Sequence, residues 1–419
     1  MYQYLINGKQ KLAGDIEVYG DKNTALKLIP STILSDQPCT ISNVPDITDV
    51  RIMIQIMQDL GAKIDKIGPH DYVFNCSTIN KTQIDSILAK KLRASTVLIG
   101  PMLAKFGTVS IPHPGGCIIG KRPIDIHLEA FHRLGATIKA DDEYYHFTAN
   151  KLRGVRIIPH SISVTGTENI IMAAVMAEGE TIIEYAACEP SVKSLADYLN
   201  SRGAKIEGAG NPRIVIHGVS SLTGGDIKVI PDRIEAGTFI ILGALCGDIQ
   251  VKNCDPAHLA VFLELLSKAG VKMEIGADNV KVFKTNQLKS VKMTTSAYPG
   301  FPTDLQAPYT LLMTQAHGLT MIHETVFEGR LNYTEWLNTM GAEIIQCDPH
   351  RVLVSGPTPL HGKKIVSPDI RAGIALIIAG LIADGQSQID NIDLVDRGYA
   401  NLDERLTKLG ASLVRNEIN

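Results

Sequence analysis

Apolar positions along the chain recur with two alternating rhythms. In some segments they fall three and four residues apart, the spacing of one helix face. Val50, Met53, Ile54, Met57 and Leu60 form one such stripe. Leu259, Phe262, Leu263 and Leu266 form another, and Leu402, Leu406 and Leu409 a third. Each striped helix runs into a glycine followed by a short strand-like stretch. The junctions are Leu60-Gly61-Ala62-Lys63-Ile64, Leu134-Gly135-Ala136-Thr137-Ile138, Arg202-Gly203-Ala204-Lys205-Ile206, Ala269-Gly270-Val271-Lys272-Met273, Met340-Gly341-Ala342-Glu343-Ile344 and Leu409-Gly410-Ala411-Ser412-Leu413. A glycine at a helix C-terminus supplies the positive φ that ends the helix. The junctions recur at intervals of about seventy residues, the mark of a structural repeat.

The last copy shows the unit in full. Lys363-Lys364-Ile365-Val366 reads as a strand and 367–371 as a loop. An apolar helix over 372–382 follows, stopped by Gly385, and then a strand over 387–392. Asp396-Arg397-Gly398 is a second loop before the striped helix and the final strand. The grammar is β-α-β-α-β, which predicts an α/β fold of six repeats, three in each of two domains. In each copy the first helix is apolar all round and the second carries one apolar stripe. The first is therefore expected to be buried and the second to cover it. No linker-like stretch separates the halves, so two closely joined lobes are expected.

Composition narrows the class. The 419 residues are 45% hydrophobic with a net charge of −3, enough for sizeable cores and without the basic block of a nucleic-acid binder. The seven cysteines (Cys39, Cys76, Cys117, Cys188, Cys246, Cys254 and Cys347) form no CxxC pair, which argues against a zinc site or a disulfide framework. No signal-type start and no membrane-length apolar run is present, so a soluble cytoplasmic protein is expected.

The loops that precede the helices carry the candidate chemistry. Those before the first helices hold Asp21-Lys22-Asn23, Lys91-Leu92-Arg93-Ala94-Ser95, Gly166-Thr167-Glu168-Asn169, Asp232-Arg233-Ile234-Glu235, Pro302-Thr303-Asp304-Leu305-Gln306 and Asp369-Ile370-Arg371. The second loops add Arg122-Pro123-Ile124-Asp125, Glu189-Pro190, Arg330-Leu331-Asn332 and Asp396-Arg397-Gly398. Equivalent loops of a repeat emerge on equivalent edges. Two facing lobes would gather Lys22, Arg93, Arg122, Arg330, Arg371 and Arg397 in one cleft suited to phosphate and carboxylate. Taken singly, each acid or amide also fits an ordinary N-cap. The glycine- and proline-rich run 107–122 reads as a mobile loop that sets Cys117 beside Lys121 and Arg122. There Cys117 is either an acid/base or nucleophile on a lid, or a small residue in a packed turn. The other six cysteines read as core residues.

These residues carry a resemblance. Gly-Gly-Cys117-x-Ile-Gly-x-Arg122-Pro123-x-Asp125-x-His127, Lys22-Asn23, Asp232-Arg233-Ile234-Glu235-x-Gly237-Thr238-Phe239, Phe301-Pro302-Thr303-Asp304-x-Gln306-Ala307 and Asp396-Arg397-Gly398-Tyr399 resemble the enolpyruvyl transferases, collinearly over essentially the whole chain. The resemblance is closer to the branch that takes a nucleotide sugar. It implies two inside-out α/β barrels of three repeats, one over residues 21–229 and one over 1–20 plus 230–419. It implies transfer of the enolpyruvyl group of phosphoenolpyruvate to the 3′-hydroxyl of UDP-N-acetylglucosamine with release of phosphate. That is the first committed step of peptidoglycan synthesis, and so of cell-wall biogenesis, cell shape and division. No metal or organic cofactor is implied.

By the same resemblance Lys22, Arg122 and Arg397 grip the donor phosphate, Arg330 and Arg371 lie near its carboxylate, and Asn23 contacts the reacting groups. Arg93, Arg122, Pro123, Ile124, Asp125, Ile126, Ser163, Val164, Asp304 and Val326 line the nucleotide-sugar site. Asp304 is the expected base and Cys117 the lid cysteine, a proton donor or an aid to product release. Alkylation of Cys117 by fosfomycin is expected. Asp21 stands where the family pattern has alanine, which sets an acid beside Lys22 and predicts weaker anion binding. Two alternatives stand beside this reading: the sibling transferase acting on a shikimate phosphate, which lacks the cysteine lid, and a catalytically weak paralogue that binds nucleotide sugar.

Overall fold

The computed structural model describes residues 2–113 and 124–418. The described residues up to Tyr19 and from Pro231 onward form one compact unit, and those between Gly20 and Ile230 form a second. Among the described residues each unit carries three sheets of a common plan. Arg156–Ile157 lies parallel to Glu180–Glu184, which pairs antiparallel with Arg213–His217, itself antiparallel to Lys205–Glu207. The parallel edge exists because a helix crosses between its two strands, whereas the hairpin that follows needs only a tight turn. One sheet lacks a full parallel strand. There Thr108–Pro112, Tyr144–Thr148 and Thr137–Ala140 pair antiparallel, and Gln83 makes a single parallel bridge to Ser110.

Three sheets are completed by strands far away in the chain. Gly14–Glu17 pairs in parallel with Ile249–Lys252, inside the first unit. Gly225–Lys228 does the same for Cys39–Ser42, inside the second. Tyr2–Asn7 inserts between Gln386–Asp390 and Leu413–Glu417, antiparallel to both. The chain thus leaves the first unit after two strands, builds the second, and returns.

The two helix environments are as the apolar pattern implies. In the first unit Arg233–Cys246, Gln306–Thr314 and Ile370–Ile382 are buried along nearly their whole length and pack on one another. In the second, Ile99–Phe106 packs on Val164–Ala174, whose buried face takes in every residue from Gly166 on. The striped helices bury one side only. Thr48–Asp59 hides Val50, Met53 and Met57 as read, with Ile52 and Ile56 rather than Ile54 completing the face. All six junction glycines have positive φ, between +86° and +110°.

Several boundaries differ from the sequence reading. The helix Ile370–Ile382 starts two residues early because the Asp369 carboxylate accepts the backbone N–H groups of Arg371 and Ala372 at 2.7 and 3.0 Å. Thr167, Glu168 and Asn169 lie inside the helix Val164–Ala174 rather than in a loop, because Ser163 caps it. Arg93–Leu98 is a 3₁₀ turn leading into the next helix. Thr108–Pro112, expected as loop, is a strand whose alternating Val109 and Ile111 are buried. Cys347 is exposed and Cys188 half-buried, so neither is a core residue, whereas Cys39, Cys76, Cys246 and Cys254 are buried. Among the described residues no helix is long and apolar enough to cross a membrane.

Candidate active site

The helix starts of the first unit bring three of the predicted residues together. Asp304 lies in the 3₁₀ turn Thr303–Leu305, at the entry to the buried helix Gln306–Thr314. One of its carboxylate oxygens accepts Nη2 of Arg330 at 2.5 Å and the other accepts Nη2 of Arg371 at 3.2 Å. Both arginine side chains are nearly buried, at 4% and 7% exposure, while Asp304 keeps 27%. One carboxylate thus sits between two guanidinium groups, with its open side toward solvent. Burial disfavours the Arg371 cation, but the charges of Asp304 and Asp232 and the hydrogen bond to the Tyr399 hydroxyl outweigh it and hold that guanidinium firmly protonated. Arg397 closes the 3₁₀ turn Ile392–Arg397 and is half-buried. The next residue, Gly398, abuts the start of the Arg371 helix: a Cβ there would meet Ile370 Cγ2 at 2.8 Å and Arg371 Nη1 at 3.5 Å. Only glycine allows this approach. Val326 is 45% exposed in a neighbouring loop.

Glu324, a residue the sequence reading passed over, ties that loop to Asp304. It is fully buried. One oxygen accepts the Thr303 hydroxyl at 2.8 Å, and the other accepts the backbone N–H groups of Val326 and Phe327. No local signal marks it, since a lone glutamate at the end of a strand looks like a surface residue.

In the second unit Lys22 and Asn23 open the helix Lys22–Ser31. Lys22 Nζ lies 2.7 Å from Asp49 Oδ2, and both side chains are nearly buried. Asp49, in the first turn of Thr48–Asp59, was not singled out because an acid there reads as a helix-start residue. The Asp21 carboxylate is occupied locally: it accepts both the backbone N–H and the hydroxyl of Thr24, at 2.5 and 2.6 Å, as the N-cap of this helix.

In the same unit lie several of the residues assigned to the nucleotide sugar. Ile124 and Ile126 are buried at the start of Asp125–Arg133. Asp125 is exposed and faces His160 at 3.4 Å. Ser163 caps the helix beginning at Val164, its oxygen accepting the Gly166 N–H at 3.0 Å. Gly166 in turn lies against Ile126, which a Cβ would meet at 3.0 Å. Burial, with a smaller push from Arg93, brings His127 down to about 4 against the pull of Asp125. Its Nδ1 lies 3.0 Å from the Asn169 amide nitrogen, which can only donate. The neutral ring therefore carries its proton on Nε2. Cys117, Arg122 and Pro123 lie outside the described residues. Among the described residues no group of three or more His, Cys, Asp or Glu side chains is placed to hold a metal ion.

Comparisons with known proteins identify the family. The model of the EPSP synthase family, described as 3-phosphoshikimate 1-carboxyvinyltransferase, matches residues 6–406. A UDP-N-acetylglucosamine 1-carboxyvinyltransferase of Desulfosudis oleivorans is 42% identical over 416 residues, covering 99% of both chains. One of Koribacter versatilis is 40% identical over 420 residues, covering 99% of this chain and 96% of its own. Among solved structures, the enolpyruvyl transferase NikO from Streptomyces tendae superposes with a TM-score of 0.90 at 25% identity over 99% of this chain and 98% of its own. EPSP synthase from Acinetobacter baumannii, at 18% identity and TM-score 0.76 over the full length of both chains, shares the fold. The family match over residues 6–406, the 40–42% identity over the full length and the common mixed α/β fold lead to one conclusion: the chain belongs to the EPSP synthase family, the enolpyruvyl transferases.

Proposed function

We propose that this chain transfers the enolpyruvyl group of phosphoenolpyruvate to the 3′-hydroxyl of UDP-N-acetylglucosamine and releases phosphate, the committed entry to peptidoglycan in the cytoplasm. The observation that carries this reading is the 42% identity, end to end, to proteins named for that activity. The two units are then read as inside-out barrels of three repeats each, residues 21–229 and 1–20 with 230–419. The buried helices lie inside and the sheets outside.

On this reading the acceptor oxygen bonds to C2 of the donor as its proton passes to Asp304, and C3 gains a proton. The tetrahedral adduct then loses a C3 proton and expels phosphate, which re-forms the C2=C3 double bond and leaves the enol ether product. One base and one acid must flank the adduct. Asp304 is the base, and Cys117 supplies the acid or assists departure of product. Lys22, Arg122 and Arg397 bind the phosphate, with Asn23 at the reacting groups. Arg330 and Arg371 bind the donor carboxylate. In the structure those two guanidinium groups are engaged by Asp304. An incoming carboxylate competes for them and frees an oxygen of Asp304 as donor and acceptor assemble. Arg93, the 122–126 run, Ser163, Val164 and Val326 line the nucleotide-sugar site. Fixed cations and helix N-termini then lower the barrier by holding charge in place before the reaction begins.

A phosphate-release assay with two acceptors tests this. Phosphate is expected from phosphoenolpyruvate with UDP-N-acetylglucosamine and not with shikimate 3-phosphate. Release with the shikimate acceptor, or with neither, overturns the assignment. Fosfomycin should add one adduct, on Cys117, faster with nucleotide sugar present; intact-mass and peptide analysis placing the adduct on Cys188 or Cys347 would contradict the lid.

A further inference from the structure

Two motif residues, Thr238 and Tyr399, have no part in the transfer as described, yet both are completely buried. The direction of every hydrogen bond they make follows from their chemistry. Thr238 sits inside the helix Arg233–Cys246, and its one hydroxyl proton goes to the Ile234 carbonyl at 2.8 Å. The Thr238 oxygen is then left as an acceptor. The Tyr399 hydroxyl lies 2.8 Å from it, so the phenol donates. The lone pairs of the phenol are left for Nη1 of Arg371, which makes a long contact at 3.5 Å. Burial pushes Tyr399 up to about 12, which keeps its proton in place. The result is a one-way chain from guanidinium to phenol to hydroxyl to helix carbonyl.

Arg371 is therefore fixed at two points. Nη1 rests on Tyr399 and Nη2 on Asp304 at 3.2 Å. A planar guanidinium held on two different nitrogens has both its position and its rotation set. The start of its helix is fixed as well, by the Asp369 cap and by contact with Gly398.

We propose that Tyr399, oriented by Thr238, is a positioning residue for the transfer: it sets the plane of the Arg371 guanidinium so that the N–H edge that meets Asp304 is aligned for the donor carboxylate to take over. The proposal rests on the transferase reading and deepens it. Tyr399→Phe keeps the ring and removes only the hydroxyl, which accepts from Arg371 and donates to Thr238. Thr238→Val removes the oxygen that takes the phenol's proton, and Thr238→Ser retains it.

Steady-state phosphate release and a crystal structure of each variant provide the test. Tyr399→Phe and Thr238→Val are expected to lose roughly tenfold in kcat/KM for phosphoenolpyruvate, with KM for UDP-N-acetylglucosamine within about twofold, and Thr238→Ser to stay near the parent. In the Tyr399→Phe crystal the Arg371 guanidinium is expected to swing off Asp304. Activity of both variants within about twofold of the parent, or an equal loss in Thr238→Ser, overturns the proposal. So does a guanidinium that stays in place in the Tyr399→Phe crystal. That last readout needs no turnover, so an inactive parent enzyme would count against the transferase reading while the crystal still decides the positioning role.

Discussion

At the residue scale the chemistry is one of shared charges. Asp304 divides its two oxygens between Arg330 and Arg371, and Lys22 faces Asp49 at 2.7 Å. Each pair is largely out of water, where an uncompensated charge is costly. Asp304→Asn keeps the volume and part of the hydrogen bonding but cannot take a proton. Its turnover should fall by about 10²–10⁴ while calorimetry shows UDP-N-acetylglucosamine still binding. Near-normal turnover would remove Asp304 from the role of base. Asp304 and both arginines were legible in the sequence as charged residues at helix starts, but their mutual bonds were not. Asp21 shows the opposite limit. Its position beside Lys22 marked it as a charge, but its role as the cap that accepts from Thr24 is a choice of rotamer that spacing along the chain does not disclose.

At the element scale two devices hold the helices in place. One is the glycine stop. Gly203 sits at φ +102° with open space where a Cβ would go, so Gly203→Ala meets only backbone strain, about 1–2 kcal/mol. Gly61→Ala adds a contact at 2.9 Å with the Thr78 carbonyl and should cost more. Urea unfolding would rank the two, and equal costs would count against the packing argument. The other device is a buried polar link between Lys22–Ser31 and Val164–Ala174. Glu168 lies 3.2 Å from Lys27 Nζ and accepts the Ser191 hydroxyl at 2.8 Å. Burial pushes Glu168 from its ordinary 4.5 up to about 7, and Lys27 opposes the shift. A folded-state value above the unfolded one means a contribution fully present below about 4.5 and lost as pH rises through about 7. Glu168→Gln should therefore gain in stability relative to the parent between those limits. Parallel stability profiles for the two proteins would show that Glu168 does not titrate there. The apolar stripes and glycines made these helices legible, whereas the partner of Glu168 was hidden because it lies on a helix from another repeat.

At the scale of the whole molecule the decisive feature is that strands distant in the chain complete the sheets of each unit. The span 20–230 contains every strand of its own three sheets, including Gly225–Lys228 beside Cys39–Ser42. The span 231–419 does not. Without residues 1–19 it lacks Gly14–Glu17 at the edge of one sheet and Tyr2–Asn7 in the middle of another. The fragment 20–230 is expected to unfold cooperatively on its own. The fragment 231–419 should need the peptide 1–19 to do so, as read by circular dichroism and thermal melts. Independent folding of 231–419 would show that those strands are dispensable. Periodicity alone determined the six helix–glycine–strand junctions, the α/β class and the buried character of the first helices, because a helix face and a left-handed glycine are set by neighbours a few residues apart. The motifs likewise marked where charged chemistry sits. Only the tertiary structure decided which distant strand closes each sheet, which acid faces Lys22, and how Arg371 is held between Asp304 and Tyr399. Those pairings join segments from about thirty to about four hundred residues apart, and non-local hydrogen bonds and ion pairs leave no period in the chain.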